Sequence, residues 1–182
     1  MKFLLKVLFV LLSLVAIVLI VALFVDGKFS VSRTVQIQQS QATVFEYISH
    51  LDNQCKYGVW QKKDPNISIK TSGTDGTVGY ISSWDSKVED VGAGEQEITK
   101  FVNGSRMETE IRFKRPMEIT SKAVIEVKII SENTSSVTWK FEGENPYPFN
   151  LLGLFVNMDK ELGPDLIGGL KNLKIILESE NN

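Results

Sequence analysis

The sequence predicts an α+β domain with an antiparallel sheet and a long C-terminal helix, preceded by one transmembrane helix. Three observations predict this fold. An almost unbroken apolar run covers Val7–Val25, apolar and polar residues alternate through most of residues 67–142, and leucines recur at helical spacing in residues 151–178. We therefore divide the 182 residues into a membrane anchor, residues 1–26, and a domain, residues 27–182.

The N-terminal run Val7–Val25 contains Ser13 as its only polar residue. At about 1.5 Å per residue, a helix of this length spans about 28 Å, close to the ~30 Å hydrocarbon core of a bilayer. A cleavable signal peptide is one alternative, but its apolar region has roughly 7–15 residues and ends in a small-residue cleavage site. Such a site has two small residues separated by one other residue, and the end of this run, Ala22–Val25, lacks that pattern. We expect an uncleaved anchor, with a helix buried in a complex as the remaining alternative.

The flanking charges predict the orientation of this anchor. Lys2 and Lys6 precede the span, whereas Asp26, Lys28 and Arg33 follow it. Because positive residues are enriched on the cytoplasmic side, the N-terminus is expected in the cytoplasm and the domain in the periplasm or outside the cell. The chain is then a single-pass membrane protein.

The domain begins with a strand and a helix. Residues alternate between apolar and polar over Phe29–Gln39, which predicts a strand although Arg33 interrupts its apolar face. Ser40 is placed to cap a following helix, whose apolar residues at helical spacing are Val44, Phe45, Ile48 and Leu51. A second brief helix or loop is expected near Cys55–Trp60.

Three turn sequences then predict antiparallel hairpins. They are residues 72–76, Asn103–Ser105 and Glu132–Thr134, and the Asn-Gly pair is the strongest signal because both residues tolerate a positive φ. The flanking strands are predicted at Ile67–Thr71, Val78–Asp85, Glu95–Val102, Arg106–Arg115, Glu118–Ile130 and Ser135–Glu142. One face of the strand after Asn103 is charged and the other is not, which indicates a sheet exposed on one side.

A helical pattern covers Leu151 to about Glu178. Its apolar stripe consists of Leu162, Leu166, Leu170, Leu173 and Leu177. Gly163–Asp165 can kink or restart this helix. The adjacent Gly168 and Gly169 cost about 1 kcal/mol each relative to alanine in a helix, so we expect them to permit close packing.

This order of elements is the helix-grip layout, and the chain resembles the START-like (SRPBCC) superfamily, within it the polyketide cyclase/dehydrase-like branch. The resemblance covers about residues 29–178 and is carried by Val35–Ile37 with Ala42–Ile48, Trp60 before Asp64-Pro65, Gly92–Ile98, and Leu162–Asp165 with Gly169–Lys174. It implies a curved sheet wrapped around the long helix, with an elongated apolar cavity between them. Members of this superfamily bind lipids, sterols or polyketides, and only some are enzymes.

The composition excludes several kinds of chemistry. Cys55 is the only cysteine in the sequence, which excludes an intrachain disulfide and a metal site built from several thiolates. His50 is the only histidine, which excludes a metal site built from several imidazoles. His50 is expected at a solvated helix end and Cys55 as a partly buried thiol. A formal net charge of −2 disfavours nucleic acid as a partner. We predict no catalytic residue, no metal ligand and no cofactor.

The candidate cavity walls are large apolar side chains on the inner faces of the sheet and the C-terminal helix. They are Trp60, Tyr80, Trp84, Phe101, Met107, Ile111, Trp139, Phe141, Leu166 and Leu170. For each of them a filled core is the alternative. The Trp60 region and the loop Pro146–Phe149 are expected near the mouth. A carboxylate pair could come from Asp85, Glu89, Asp90, Glu95 and Glu97, which are otherwise solvated charges.

These observations favour a membrane-anchored domain that binds a hydrophobic small molecule, either a lipid or a polyketide-like compound. One alternative is a cyclase/dehydrase-like enzyme that acts on such a ligand by acid–base catalysis. The other is an interaction module with a dry core that meets a membrane partner through its loops. The membrane itself is the second partner, through Val7–Val25.

Overall fold

The computed structural model describes residues 2–179, and the strands in this part of the chain form one seven-stranded antiparallel sheet in the order β1-β7-β6-β5-β4-β3-β2. The strands are β1 Lys28–Ile37, β2 Ser68–Ser72, β3 Ile81–Asp85, β4 Ala93–Val102, β5 Arg106–Arg115, β6 Ile119–Ser131 and β7 Thr134–Glu144. The helices are α1 Lys2–Ala22, α2 Gln41–Ser49, α3 Gln54–Tyr57, α4 Trp60–Lys63 and α5 Met158–Ser179, with short 3-10 helices at Leu51–Asn53 and Phe149–Leu154. The sheet curves around α5, so the predicted α+β architecture is confirmed.

The apolar N-terminal segment forms the helix α1, which is long and apolar enough to cross a membrane. It ends at Ala22, three residues before the predicted limit at Val25. The side-chain amide of Asn150 donates hydrogen bonds to the carbonyls of Ala22 at 2.6 Å and Val25 at 2.8 Å. Because these carbonyls have a partner from the domain, the helix can end there without unsatisfied acceptors.

The first strand and the helix after it form at the predicted places, but α2 ends at Ser49, so Leu51 lies in the 3-10 helix that follows. Ser40 caps α2, since its hydroxyl accepts a hydrogen bond from the backbone N–H of Thr43 at 3.2 Å. Val44 and Ile48 lie on the buried side of this helix, and Ile37 ends β1 in the same core. The helix therefore seals one end of the concave face of the sheet.

The hairpin between β4 and β5 turns at Asn103 and Gly104, which have φ angles of 46° and 60°. Val102 pairs with Arg106 across this turn. These two residues are at the centre of a four-residue turn, which the N–H of Ser105 closes by donating to the carbonyl of Val102 at 3.0 Å. Two successive positive φ angles at the centre of such a turn match its twist to that of the strands. A Cβ added to Gly104 would meet no atom within 4 Å, so only the backbone conformation restricts this position.

The long helix α5 starts at Met158, not at Leu151 as the sequence pattern predicted. Asn157 sets this start, because its side-chain oxygen accepts hydrogen bonds from the N–H groups of Asp159 at 3.0 Å and Lys160 at 3.3 Å. The helix then continues through Pro164. The leucines of its stripe that are fully buried against the sheet are Leu166, Leu170, Leu173 and Leu177.

Arg33, which interrupts the apolar face of β1, holds the start of α5. Its guanidinium donates to both carboxylate oxygens of Asp159, at 2.7 and 2.9 Å. Gly163, one turn further along α5, leaves the space that the guanidinium occupies, since a Cβ there would overlap it. The hydrogen bonds from Arg33 lower the pKa of Asp159 below its ordinary value. We call this contact the Arg33–Asp159 clamp.

We expect the substitution Gly104→Val to destabilise the protein by about 1 kcal/mol or more, because a β-branched residue resists a positive φ. The measurement is urea unfolding of the detergent-solubilised chain. Gly153→Ala is the matched control, since its Cβ also meets no atom within 4 Å and its φ is not in the left-handed region. Equal stability of Gly104→Val and the wild type would refute this turn geometry.

The Arg33–Asp159 clamp predicts a pH-dependent effect of Asp159→Asn. A carboxylate whose pKa is lowered by folding stabilises the native state above its unfolded value, 3.8 for aspartate, and this contribution is lost as the pH falls through the folded pKa. The melting temperature of the variant should therefore lie below that of the wild type at pH 7, and the gap should close in acid. Glu161→Gln, on the same turn of α5, should show no such gap at either pH.

Candidate functional site

A cavity of about 210 Å³ lies between the concave face of the sheet and the helices α3, α4 and α5. Most of its walls are apolar and aromatic. The lining residues are Gln54, Trp60, Gln61, Ile67, Trp84, Asp90, Val91, Gln96, Ile111, Phe113, Ala123, Trp139, Phe141 and Leu162. They come from the sheet, from the short helices after α2, from the second turn of α5, and from the loops before β2 and between β3 and β4.

Trp139 of β7 forms the wall between the cavity and α5. It is 2% exposed, and its ring packs edge-to-face against Trp60 at 5.9 Å and against Tyr57 at 5.8 Å. Gly169 of α5 faces the same ring, since a Cβ at this glycine would lie 2.7 Å from Cζ3 of Trp139. The predicted close packing at the glycine pair is thus present, and the absent side chain leaves room for the indole.

Another set of aromatic rings forms the opposite wall. Trp84 packs edge-to-face on Phe113 at 5.7 Å, and Phe113 contacts Phe141 at 6.5 Å. The indole N–H of Trp84 donates to the carbonyl of Val91 at 3.0 Å. This hydrogen bond fixes the ring, so the wall is rigid and its polar atom is already satisfied.

Three glutamines supply the uncharged polar groups of the cavity. Gln54 donates from Nε2 to Oε1 of Gln96 at 3.1 Å, and Gln96 donates from Nε2 to the hydroxyl of Thr109 at 2.9 Å. The Oε1 atom of Gln61 is buried and has no hydrogen-bond partner among the described residues. Buried acceptors are rarely left unsatisfied. This oxygen lies beside Gly58, since a Cβ built there would come within 2.7 Å of it.

The cavity is poor in acids and bases. Within the described chain, Asp90 is its only titratable lining residue, and it lies exposed at the rim. Glu95 and Glu97 lie on the convex face, where both bind Arg112. Hydrogen bonds from Lys114 and then Arg112 lower the pKa of Glu95. These two carboxylates are therefore ion-paired anions on the surface.

The remaining acids that were considered for a carboxylate pair are also on the surface. Asp85 pairs with Arg115, and Glu89 is exposed in the turn after β3. Among residues 2–179, no group of three His, Cys, Asp or Glu side chains is arranged to hold a metal ion. A pair of acids for proton transfer is thus not assembled at this cavity by the described residues.

Five of the ten predicted wall residues line the cavity: Trp60, Trp84, Ile111, Trp139 and Phe141. The structure places the other five in the packed core outside its lining. Of these, Met107, Leu166 and Leu170 are fully buried. Phe101 packs edge-to-face on Phe45 at 6.0 Å.

Tyr80, the fifth of these core residues, has a structural role. Its hydroxyl donates to Asp52 at 2.6 Å and links β3 to the 3-10 helix after α2. Burial, together with this hydrogen bond, raises the pKa of Tyr80 to about 12. The phenol therefore keeps its proton at neutral pH and acts as a donor within the core.

His50 and Cys55 occupy the kinds of position that the sequence predicts for them. His50 follows α2, where its ring nitrogens lie 3.4 Å from Asp75 and 3.6 Å from Glu46. Cys55 is half-buried, and burial raises the pKa of its thiol. A thiol with a raised pKa is a weak nucleophile at neutral pH.

The expectation for the mouth of the cavity is corrected in one part. Trp60 lies at the cavity as predicted, but the loop Pro146–Phe149 does not line it. This loop lies beside α1, where the hydroxyl of Tyr147 donates to the carbonyl of Leu19 at 3.3 Å. The cause is the strand register. Glu144, the last residue of β7, pairs with Lys28 next to the end of α1, so the loop that follows β7 starts beside α1.

The three glutamines were missed by reasoning from the sequence. Gln96 lies two residues before the buried Ile98 on β4, and side chains two residues apart on a strand point to the same face. This alternation in the sequence indicates that Gln96 points inward. Gln54 and Gln61 lie in helices of four residues each, which are too short to show a periodic pattern. Their position at the cavity is set by tertiary packing alone.

Comparison with known proteins identifies the fold. No family model and no curated protein matches the sequence. The structure is similar to norcoclaurine synthase from Thalictrum flavum, solved as a point mutant in complex with a transition-state analogue. The TM-score is 0.65, and the sequences are 11% identical over 86% of this chain and 98% of that one. It is also similar to a protein from Nitrosospira multiformis, with a TM-score of 0.58 and 13% identity over 84% of this chain and 99% of the other.

A third similar structure is Ara h 8.0201, with a TM-score of 0.55 and 14% identity over 84% of this chain and 99% of that one. These neighbours have the helix-grip fold, a curved antiparallel sheet around a long C-terminal helix. This chain has the same fold, so the resemblance seen in the sequence is confirmed at the level of the fold.

We expect Gly169→Ala to destabilise the protein by about 1–3 kcal/mol, because the new methyl group overpacks against Trp139. Gly168→Ala is the matched control. Its Cβ would lie 3.1 Å from the Val59 side chain, which is only half-buried and can shift. The control should be neutral or gain about 0.4–1 kcal/mol from the better helix former. Equal effects of the two substitutions in urea unfolding would contradict this packing.

Proposed function

We propose that this chain is a membrane-anchored domain that binds a small hydrophobic molecule with one uncharged polar group. The observation that carries the proposal is the cavity beside Trp139, which combines aromatic walls with the unpaired oxygen of Gln61. A concave apolar site with a few convergent polar groups is the usual form of a small-molecule site.

The size of the cavity favours a ligand built on a single ring or a short acyl chain. An engineered cavity of about 150 Å³ binds benzene, and drug-sized ligands occupy about 300–1,000 Å³. The 210 Å³ found here lies between these values. Of the two expected ligand classes, a compact polyketide-like or aromatic molecule therefore fits better than a long-chain lipid.

The polarity of the cavity favours an uncharged ligand. Gln54, Gln61 and Gln96 offer amide donors and acceptors, and the carboxylate of Asp90 stands at the rim. A buried ligand charge would need a partner of opposite sign, which the described lining does not offer inside the cavity. A hydroxyl or amide N–H on the ligand would instead pair with one of these side-chain amides, and Gln61 is the glutamine whose Oε1 has no partner among the described residues.

Binding is favoured over the two alternatives. Acid–base catalysis by a cyclase/dehydrase-like enzyme needs a positioned acid or base, and Asp90 at the rim is the one carboxylate among the described lining residues. An interaction module with a dry core would have a filled interior. The open volume beside Trp139 supports a ligand-binding role instead.

The anchor is the second part of the proposal. We infer that α1 spans a bilayer, with its N-terminus in the cytoplasm and the domain from residue 27 on the other side. The side chains of α1 are exposed to the surroundings except near its end, which suits a lipid environment. Asn150 and Tyr147 of the domain bind carbonyls at the end of α1, and these contacts support a helix that stays attached.

The ligand proposal is tested with two probes of one shape, p-cresol and toluene, whose binding to the detergent-solubilised chain is measured by ligand-observed NMR titration. The wild type should bind p-cresol roughly two- to tenfold more tightly, because one hydrogen bond contributes about 0.5–1.5 kcal/mol. Gln61→Leu should abolish this preference and still bind toluene. A preference that survives in Gln61→Leu would place the polar contact elsewhere.

Cavity filling gives the second arm of the test. Ala123 lines the cavity, so Ala123→Leu should weaken the binding of both probes. Val127→Ala is its control, because Val127 is fully buried on the same strand and is not part of the lining. It should lower stability and leave binding intact. Unchanged toluene affinity in Ala123→Leu would show that the probes do not occupy this cavity.

A further inference from the structure

The loop before α5 exposes an unusual concentration of large apolar side chains. We define the apolar loop as Tyr147–Val156, which contains the 3-10 helix Phe149–Leu154. Its exposed members are Tyr147, Phe149, Leu152, Leu154, Phe155 and Val156, and Phe155 is 85% exposed. Exposed apolar surface of this kind marks an interaction site.

No charged residue interrupts this surface. Residues 145–158 contain no Asp, Glu, Lys or Arg, whereas charges resume on both sides at Glu144 and Asp159. Solvated loops normally carry charged residues, so this stretch is not built to face water. Its composition, with a tyrosine among leucines and phenylalanines, suits the boundary between acyl chains and headgroups.

The position of the apolar loop points to its partner. Asn150, in the middle of the loop, binds the carbonyls of Ala22 and Val25, and Tyr147 binds the carbonyl of Leu19. Leu19 lies about 5 Å from the end of α1 at 1.5 Å per residue. A helix of 21 residues has just the length of a bilayer span, so the loop touches α1 at the depth where the hydrocarbon core ends.

The end of α1 continues the same surface. Leu23 is 68% exposed and Phe24 is 85% exposed, and both precede the first strand by only a few residues. At Gly27 a Cβ would overlap the carbonyl of Asn145, so the chain passes close against the base of the apolar loop. The domain is therefore held against the end of α1 by this packing and by the hydrogen bonds from the loop.

We propose that the apolar loop inserts into the interfacial region of the same leaflet from which α1 emerges, and so docks the domain on the bilayer in one orientation. This inference rests on the proposed function in one respect, that α1 spans the membrane. The loop then acts as a second attachment beside the covalent one. The occupant of this surface is lipid, and neither a second copy of the chain nor another protein.

The test uses the full chain in vesicles of zwitterionic phospholipid. In a Cys55→Ser background, a single cysteine carries the environment-sensitive dye NBD, and phospholipids with nitroxide-labelled acyl chains act as quenchers. The docking position is Phe155→Cys. The control is Ile129→Cys, which is 66% exposed next to the β6–β7 hairpin, about 30 Å away along β7. Leu12→Cys, in the middle of α1, reports insertion of the helix itself.

We expect the dye at position 155 to emit at shorter wavelength and to be quenched by the nitroxide lipids several-fold more strongly than the dye at position 129. If the dye at position 12 is quenched but the dye at position 155 is quenched no more than the control at position 129, the docking is overturned and the anchor is left intact. No quenching at position 12 would overturn the span and the docking together, while p-cresol binding tests the cavity separately. If the emission at position 155 shifts to shorter wavelength only as the amount of protein per vesicle rises, without quenching by nitroxide lipids, a second copy of the chain covers the apolar loop. That result would also overturn the proposal.

Discussion

The contact between Gly169 and Trp139 is the constraint on which the domain depends. A curved sheet can cover the leucine stripe of α5 only if the helix approaches the sheet closely at some point, and a glycine provides that point. With no side chain at this position, the indole of Trp139 fits between helix and strand. Leu166, Leu170 and Leu173 are then fully buried on the same side of the helix. Tight packing here fixes the distance between the two layers for the rest of the fold.

The cavity follows from the same constraint. Trp139 is held by Gly169, Tyr57 and Trp60, so its ring cannot rotate into the empty space beside it. On the other side of the space, Trp84 lies over Gly94, where a Cβ would come within 2.6 Å of the indole. The aromatic rings are thus fixed by their own contacts, edge against face, and this geometry leaves a gap that smaller flexible side chains would have filled. An open volume of this kind is a product of rigid walls and not of missing core residues.

The sequence predicts much of the fold because its signals are local. Alternation identifies the strands, and Asn103 with Gly104 identifies a turn, since in both cases the backbone preference lies in the residues themselves. The start of α5 could not be predicted from the apolar pattern. Leu151 and Leu154 continue the helical spacing, yet the cap at Asn157 excludes them from the helix.

The site is harder to predict than the fold for a physical reason. Met107 and Ile111 lie on the same face of β5, and parity alone makes both of them wall candidates. Only Ile111 borders the cavity, while Met107 is buried in the core. What separates them is their position along the strand relative to the helices above it. That relation depends on tertiary packing, as does the inward position of Gln61, and no local pattern contains it.

The register of the edge strand brings the end of α1 close to the first turns of α5, which lead to the cavity. Lys28, the first residue of β1, pairs with Glu144, the last of β7, so the end of α1 and the apolar loop meet at the same edge. The loop leads directly into α5, whose first turn is held to β1 by the Arg33–Asp159 clamp. Leu162, one turn later, is already a wall of the cavity. The end of α1 and the cavity are therefore connected through one short segment, and a shift of α5 at the Arg33–Asp159 clamp would change the positions of both.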